Sequence, residues 1–237
     1  MAVPQPAGPA GKKTWAVTIL FVDVVHSTQL SEQLAPEAYA SLMERFQQEG
    51  RRIVREHGGF AKTAGDGIVG IFGVPVKGDD ALQAVRVAVL LRGQVLPALN
   101  DEFQERWNVK IDVRIGVHTD EAPARVPSGA PLDDLDRDDP VDVLGRVVNV
   151  AQRLESSAEH RQILIGQATH QRVRAWVTVD KPRMLELDGV DGPFPHGRCS
   201  PCTGNRDSAW ARCRWSGAPT SSASSTSASS GPAAAGG

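Results

Sequence analysis

The sequence predicts an α+β protein with a ferredoxin-like βαββαβ core and a C-terminal αβ extension. Three observations carry that prediction. Apolar, β-branched runs alternate with stretches of helical period. An Asp-Gly pair, Asp66-Gly67, lies between two short apolar runs and marks a hairpin. Read in order, the elements run β-α-β-β-α-β and then αβ.

Trp15 to Val25 is apolar and β-branched, as a strand buried on both faces should be, although periodicity alone leaves a buried helix open. The turn-like His26-Ser27-Thr28 favours the strand. From Ser31 the pattern becomes helical, with Leu34, Ala38, Leu42, Phe46 and Ile53 at near one-turn spacing and a break expected near Ala35. Pro36 suits a first helical turn, and Gly58-Gly59 is the stop. Phe60 to Ala64 and Ile68 to Phe72 are the hairpin strands, and Gly73-Val74-Pro75 ends the second. Asp79-Asp80 place acidic charge at the start of a helix through Ala81, Ala84, Val85, Ala88 and Leu91, with Gly93 and Pro97 as weak points. Val109 to Thr119 alternates as a strand, with Lys110, Asp112 and Arg114 on its other face. A Pro- and Asp-rich insertion fills 120–140; its run from Asp133 to Asp139 reads as a solvated loop. Val143 to Ala158 is a helix, Gln162 to Gly166 a strand and Gln167 to Val173 a short helix.

The chain has 237 residues, 41% of them hydrophobic, which is enough for a sizeable core. Residues 1–13 read as a disordered segment, 14–195 as the folded domain and 196–237 as a disordered tail of low complexity. With 26 basic and 28 acidic residues the formal charge is −2, so nothing in the balance favours a nucleic acid polymer or an anionic membrane. The first residues lack the apolar core of a secretory signal and no run reads as a membrane span, so the expected location is cytoplasmic. Cys199, Cys202 and Cys213 all fall in the tail, which argues against disulfides bracing the core. With His196 they have zinc-like spacing, but no second regular pair supports a site.

Two residues stand out chemically. Asp23 and Asp66 each sit where a strand runs into a turn, and paired carboxylates of that kind suit Mg²⁺ or Mn²⁺ completed by substrate phosphate. Each is equally an ordinary residue of its place, Asp66 a hairpin-turn aspartate and Asp23 a strand-end cap. Asn149 and Arg153 lie four apart on a helix and share a face, an amide and a guanidinium suited to a ribose oxygen and a phosphate. Arg153 alone also fits a surface ion pair.

Taken together, Phe-x-Asp-Val, Lys-x-x-Gly-Asp-Gly, Phe-Gly-Val-Pro, Arg-Ile-Gly-Val-His-Thr and Val-Asn-x-Ala-x-Arg-Leu-Glu make the chain resemble the catalytic domain of class III adenylate and guanylate cyclases, of the bacterial type. The resemblance covers about Lys13 to Pro193. It implies an adenylate cyclase that converts ATP to 3′,5′-cyclic AMP and pyrophosphate. It also implies two Mg²⁺ or Mn²⁺ ions per site, held by Asp23, Asp66 and the Val24 carbonyl. Lys62 and Asp142 match the purine-selecting pair, and Asn149 and Arg153 the pair that orients ribose and stabilises the transition state. Each site is implied to form across a head-to-tail homodimer.

Three departures from the family pattern support an alternative, a catalytically weak or inactive cyclase-like module for dimerisation and nucleotide binding. His26 stands where the phosphate-cradling turn commonly has Gly. Asp120 replaces the Gly of Thr-Gly-Glu, near a turn expected to prefer positive φ. Asp188 occupies the place of a lysine that holds the triphosphate. The last strand of the family is expected to be missing or replaced after Pro193.

Overall fold

The computed structural model describes residues 14–75, 78–125, 141–177, 179–180, 183–185 and 194–198. Its chain order is β1 (Thr14–Val24), α1 (Ser27–Gln33), α2 (Pro36–Glu56), β2 (Phe60–Ala64), β3 (Gly67–Phe72), α3 (Asp80–Leu90), a π-helical segment (Leu91–Val95), α4 (Leu96–Trp107) and β4 (Val113–Arg125). There follow β5 (Asp142–Val143), α5 (Arg146–Ser156), β6 (Ile163–Gly166), α6 (Gln167–Val173), β7 (Arg183–Leu185) and β8 (Phe194–Arg198).

The strands form one sheet in the order β2-β3-β1-β4-β6-β8-β7, with β5 paired to the far end of β4. β1 is central and antiparallel to both β3 and β4, and β4 runs parallel to β6. The first four strands therefore have the expected split-βαβ arrangement.

Central position explains the composition of β1. Leu20, Val22 and Val24 belong to the core cluster shared with α2, α3 and α4, while Trp15, Val17 and Ile19 belong to the one shared with α5. A strand covered on both faces gains apolar contacts at every residue, which is why alternation is absent from its sequence. Gly116 lets α5 approach β4 closely, because a Cβ there would run into the Ala151 carbonyl oxygen and the Glu155 backbone nitrogen.

Several elements differ from the sequence reading. Helix starts at Ser27 rather than Ser31, and the break falls at Leu34 and Ala35 with Pro36 opening α2. Gly93 and Pro97 do not end the third helix. Pro97 has no N–H for the Gly93 carbonyl, and the helix widens into the π segment before continuing to Trp107. Counted as one helix, Asp80–Trp107 is long and apolar enough to cross a membrane, contrary to the sequence reading, yet half of its apolar window is buried as in a core helix.

β4 begins at Val113 and extends to Arg125. Asp120 is therefore inside a strand, opposite Val17, and not in a turn of positive φ. β8 crosses the expected boundary at 195 and supplies a late strand that pairs with both β6 and β7. Its carrier is Phe194, buried with Val150, Leu154 and Leu164. His196 is buried in β8, whereas Asp188, Cys199, Cys202, Cys213, the Asp133–Asp139 run, residues 1–13 and residues 199–237 lie outside the described residues.

Candidate active site

Asp23 is the penultimate residue of β1 and Asp66 lies in the β2–β3 turn. Pairing of Val22 with Ile68 carries that turn to the end of β1. Gly67 permits the approach, since a Cβ there would run into the Val22 carbonyl. Gln47 of α2 donates from Nε2 to the Gly65 carbonyl at 2.9 Å and fixes the turn from behind. The phenol of Tyr39 is held above its ordinary pKa first by burial, then by a hydrogen bond to Asp66 and by the charges of Asp66 and Asp23. Both carboxylates thus converge on one side chain of α2.

Among the described residues there is no cluster of three or more His, Cys, Asp or Glu able to hold a metal unaided. A two-carboxylate set at a strand end, with the Val24 carbonyl beside it, fits a hard cation that draws the rest of its shell from water and phosphate.

The turn after β1 is unusual. His26 has φ 58°, the left-handed region, and its backbone carbonyl accepts from the Leu30 N–H at 3.0 Å. Histidine adopts this conformation more readily than most residues, but glycine does so without steric cost. His26 is exposed and its ring meets His160 edge-on, with centroids 4.9 Å apart.

Lys62 and Asp142 are brought together. Lys62 Nζ donates to Asp142 Oδ1 at 3.0 Å, joining β2 to the short β5 across 80 residues of sequence. Just beyond, α5 buries Val147, Ala151 and Glu155 against the sheet. At about 100° per residue, Asn149 and Arg153 stand about 160° round the helix from Ala151 and face away from the sheet. Asn149 is exposed, Arg153 half-buried, and Arg153 Nη1 is buried without a hydrogen-bond partner. The structure therefore pairs Lys62 with Asp142 and brings the Asp66 turn to the end of β1 that carries Asp23, while Asn149 and Arg153 lie on the side of α5 turned away from the sheet.

Arg114, which the sequence does not single out, joins this group. Directly opposite Asp23 in the β1–β4 pairing, its Nη2 donates to Asp23 Oδ2 at 2.9 Å. Its Nε lies 2.5 Å from Glu155 Oε1, close but not aligned as a hydrogen bond. Burial pushes the Glu155 carboxyl above the usual range, and the guanidinium opposes that rise. Asp23 and Glu155 therefore share one cation. Alternation along β4 placed Arg114 on a polar face, but its partner depends on strand register, which sequence does not show.

His118, on the same strand, is buried edge-on to Phe194, with ring centroids 5.3 Å apart. Desolvation lowers its pKa to about 4, against a smaller opposing effect of Asp120. Neutral and enclosed, it is a packing residue.

Comparison with known proteins places this geometry. A family model described as adenylate and guanylate cyclase catalytic domain matches residues 10–192. Among solved structures, the adenylyl cyclase CyaB from P. aeruginosa is similar with a TM-score of 0.71 at 25% identity, over 82% of this chain and 97% of that one. The guanylyl cyclase Cya2 is similar with a TM-score of 0.71 at 26% identity, over 80% and 94% respectively. The receptor-type guanylate cyclase gcy-23 of Caenorhabditis elegans is 27% identical over 158 residues, 63% of this chain. The chain spans between 13% and 33% of the length of the curated relatives it matches.

Proposed function

The chain belongs to the adenylate and guanylate cyclase catalytic domain family, and from that premise we propose that it is an adenylate cyclase, forming 3′,5′-cyclic AMP and pyrophosphate from ATP in a cytoplasmic homodimer. The cyclase activity is a phosphorus–oxygen lyase reaction, and relatives of both nucleotide specificities are known. The observation that carries the choice of ATP is the 3.0 Å pairing of Lys62 Nζ with Asp142 Oδ1.

A lysine donor and a carboxylate acceptor side by side match adenine, whose ring N1 accepts and whose exocyclic amine donates. Guanine reverses both groups, leaving its O6 against the wrong partner. Asp23, the Val24 carbonyl and Asp66 would hold Mg²⁺ or Mn²⁺, two ions per site. Bound there, the cations supply Lewis acidity and charge neutralisation.

The chain's own residues do the rest. Arg114 donates from Nη2 to Asp23 Oδ2 and holds that carboxylate in place at the sheet end. Asn149 orients the ribose through its amide. Arg153 offers planar donors to charge gathering on the α-phosphate, and its buried Nη1 without a partner is the kind of group a phosphate oxygen satisfies.

The test is cyclic nucleotide formation by the purified chain with Mn²⁺. ATP is expected to be preferred over GTP, and Asp23→Ala to lose at least about 100-fold in turnover. Equal activity in Asp23→Ala would remove the aspartates from the site.

A second reading, a cyclase-like dimerisation and nucleotide-binding module with little or no turnover, is favoured by one observation. His26 fills the left-handed position of the turn beside Asp23 with a side chain where phosphate must approach. Metal-dependent ATP binding without product would select it, and substantial turnover would exclude it.

A further inference from the structure

The widened part of the α3–α4 helix opens a groove of about 730 Å³ that the cyclase reading does not use. Gly93, Gln94, Asn100, Asp101, Lys110 and Arg161 are among the residues that line it. Its volume is that of a small-molecule site. π segments inside helices recur at functional sites because they displace backbone from the regular ladder. Lys110 and Arg161 give the wall two cations against the single carboxylate of Asp101, so the wall is complementary to an anion. Asp112 Oδ1 lies 3.5 Å from Arg161 Nη1 and takes part of that charge.

The groove is built, not incidental. Arg161 has φ 59°, a left-handed conformation uncommon for arginine. It is held there from both sides, its carbonyl accepting from buried Arg92 at 3.3 Å and its N–H donating to the Val113 carbonyl at 2.8 Å. Asn100 of α4 fixes the segment beside Lys110, exchanging two hydrogen bonds of 2.8 Å with the backbone of Ile111.

The same two segments touch the turn after β1. The Asp112 carbonyl accepts from the Val25 N–H at 2.9 Å, and His160, next to Arg161, packs on His26. Segments 110–112 and 160–161 are thus in direct contact with the residues that follow Asp23 and Val24.

We propose that this groove is an effector site for a small organic anion bearing a carboxylate or phosphate group, bound between Lys110 and Arg161, and that its occupancy is read at Val25 and His26. The coupling to catalysis rests on the cyclase reading of that turn; the binding does not.

The test is a backbone-amide NMR titration of the full chain without ATP or divalent metal, in separate arms with inorganic phosphate and with succinate. The amides of Gly93, Lys110 and Arg161 are expected to shift saturably in at least one arm, with Val25 and His26 following at the same midpoint. The arm that saturates identifies the anionic group. In the variant combining Lys110→Ala and Arg161→Gly, the latter chosen for the left-handed backbone, affinity should fall at least about tenfold. Absence of groove shifts in both arms, shifts that persist unchanged in the variant, or shifts confined to Val25 and His26 would overturn the site. Groove shifts without any at Val25 and His26 would overturn the coupling. Since the readout needs neither substrate nor metal, an inactive enzyme leaves it intact.

Discussion

Lys62 illustrates what a side chain contributes once the fold has placed it. On its own it is a half-buried lysine of an edge strand; 3.0 Å from Asp142 it becomes half of a donor–acceptor pair. Reversing its role should reverse the preference. In Lys62→Glu the position accepts rather than donates, so adenine N1 meets a second acceptor while the guanine N1–H gains a partner. The expected result is a fall in kcat/KM for ATP of about 100-fold or more, with a smaller fall or a rise for GTP. An unchanged ATP to GTP ratio would remove Lys62 from purine recognition. His118 gives a prediction on stability instead. Its folded pKa of about 4 lies below the ordinary 6.5, so the unfolded chain takes up this proton first as pH falls. The contribution is complete above about pH 6.5 and is lost progressively towards pH 4, amounting to about 3 kcal/mol at most. Urea denaturation followed from pH 7.5 to 4.5 should show this slope, and His118→Phe should flatten it; an identical slope in the variant would assign the effect to other groups.

At the scale of elements, local pattern was sufficient wherever one helix or strand buries a regular face. The long helix with its break at Ala35, the hairpin around Asp66, and α6 follow from spacing and turn chemistry alone. What the sequence hid were features decided by a neighbour. β5 exists because two residues can pair with the far end of β4. β8 exists because Phe194 finds Leu154 and Leu164. The helix survives Gly93 and Pro97 because both sides of the π segment are buried against the core. The contact between Asp23 and Arg114 belongs to the same class, since it depends on register. Gly116 is the clearest case of an element positioned by one missing side chain. Gly116→Ala should push α5 off β4, costing about 2 kcal/mol or more by overpacking. Because α5 carries Asn149 and Arg153, turnover should fall more than the folded fraction does. Denaturation midpoints and kcat measured on the same preparation would check this, and wild-type values for both would show that the helix has room to spare.

Across the whole molecule, the groups singled out by chemistry do not converge on one point. Asp23 and Asp66 lie at the end of β1 and the adjoining turn, whereas Asn149 and Arg153 project from the opposite side of α5 to the face that touches the sheet. The helix register on the sheet turns Asn149 and Arg153 away from it, as the dimeric site implied by the resemblance requires. Two copies related by a twofold axis would complete two sites, each taking the aspartates from one chain and the amide and guanidinium from the other. That arrangement makes a quantitative prediction. Asp23→Ala and Arg153→Ala should each be inactive alone, since every site in either homodimer lacks one half. Mixed and allowed to exchange, about half of the dimers would be heterodimers, in which one site collects both mutations and the other none. Activity should then return to about a quarter of the wild-type value, measured as cyclic AMP formed per total protein. If the mixture stays as inactive as its components while sedimentation shows exchanged dimers, the two half-sites do not meet across the interface and catalysis must be completed within one chain.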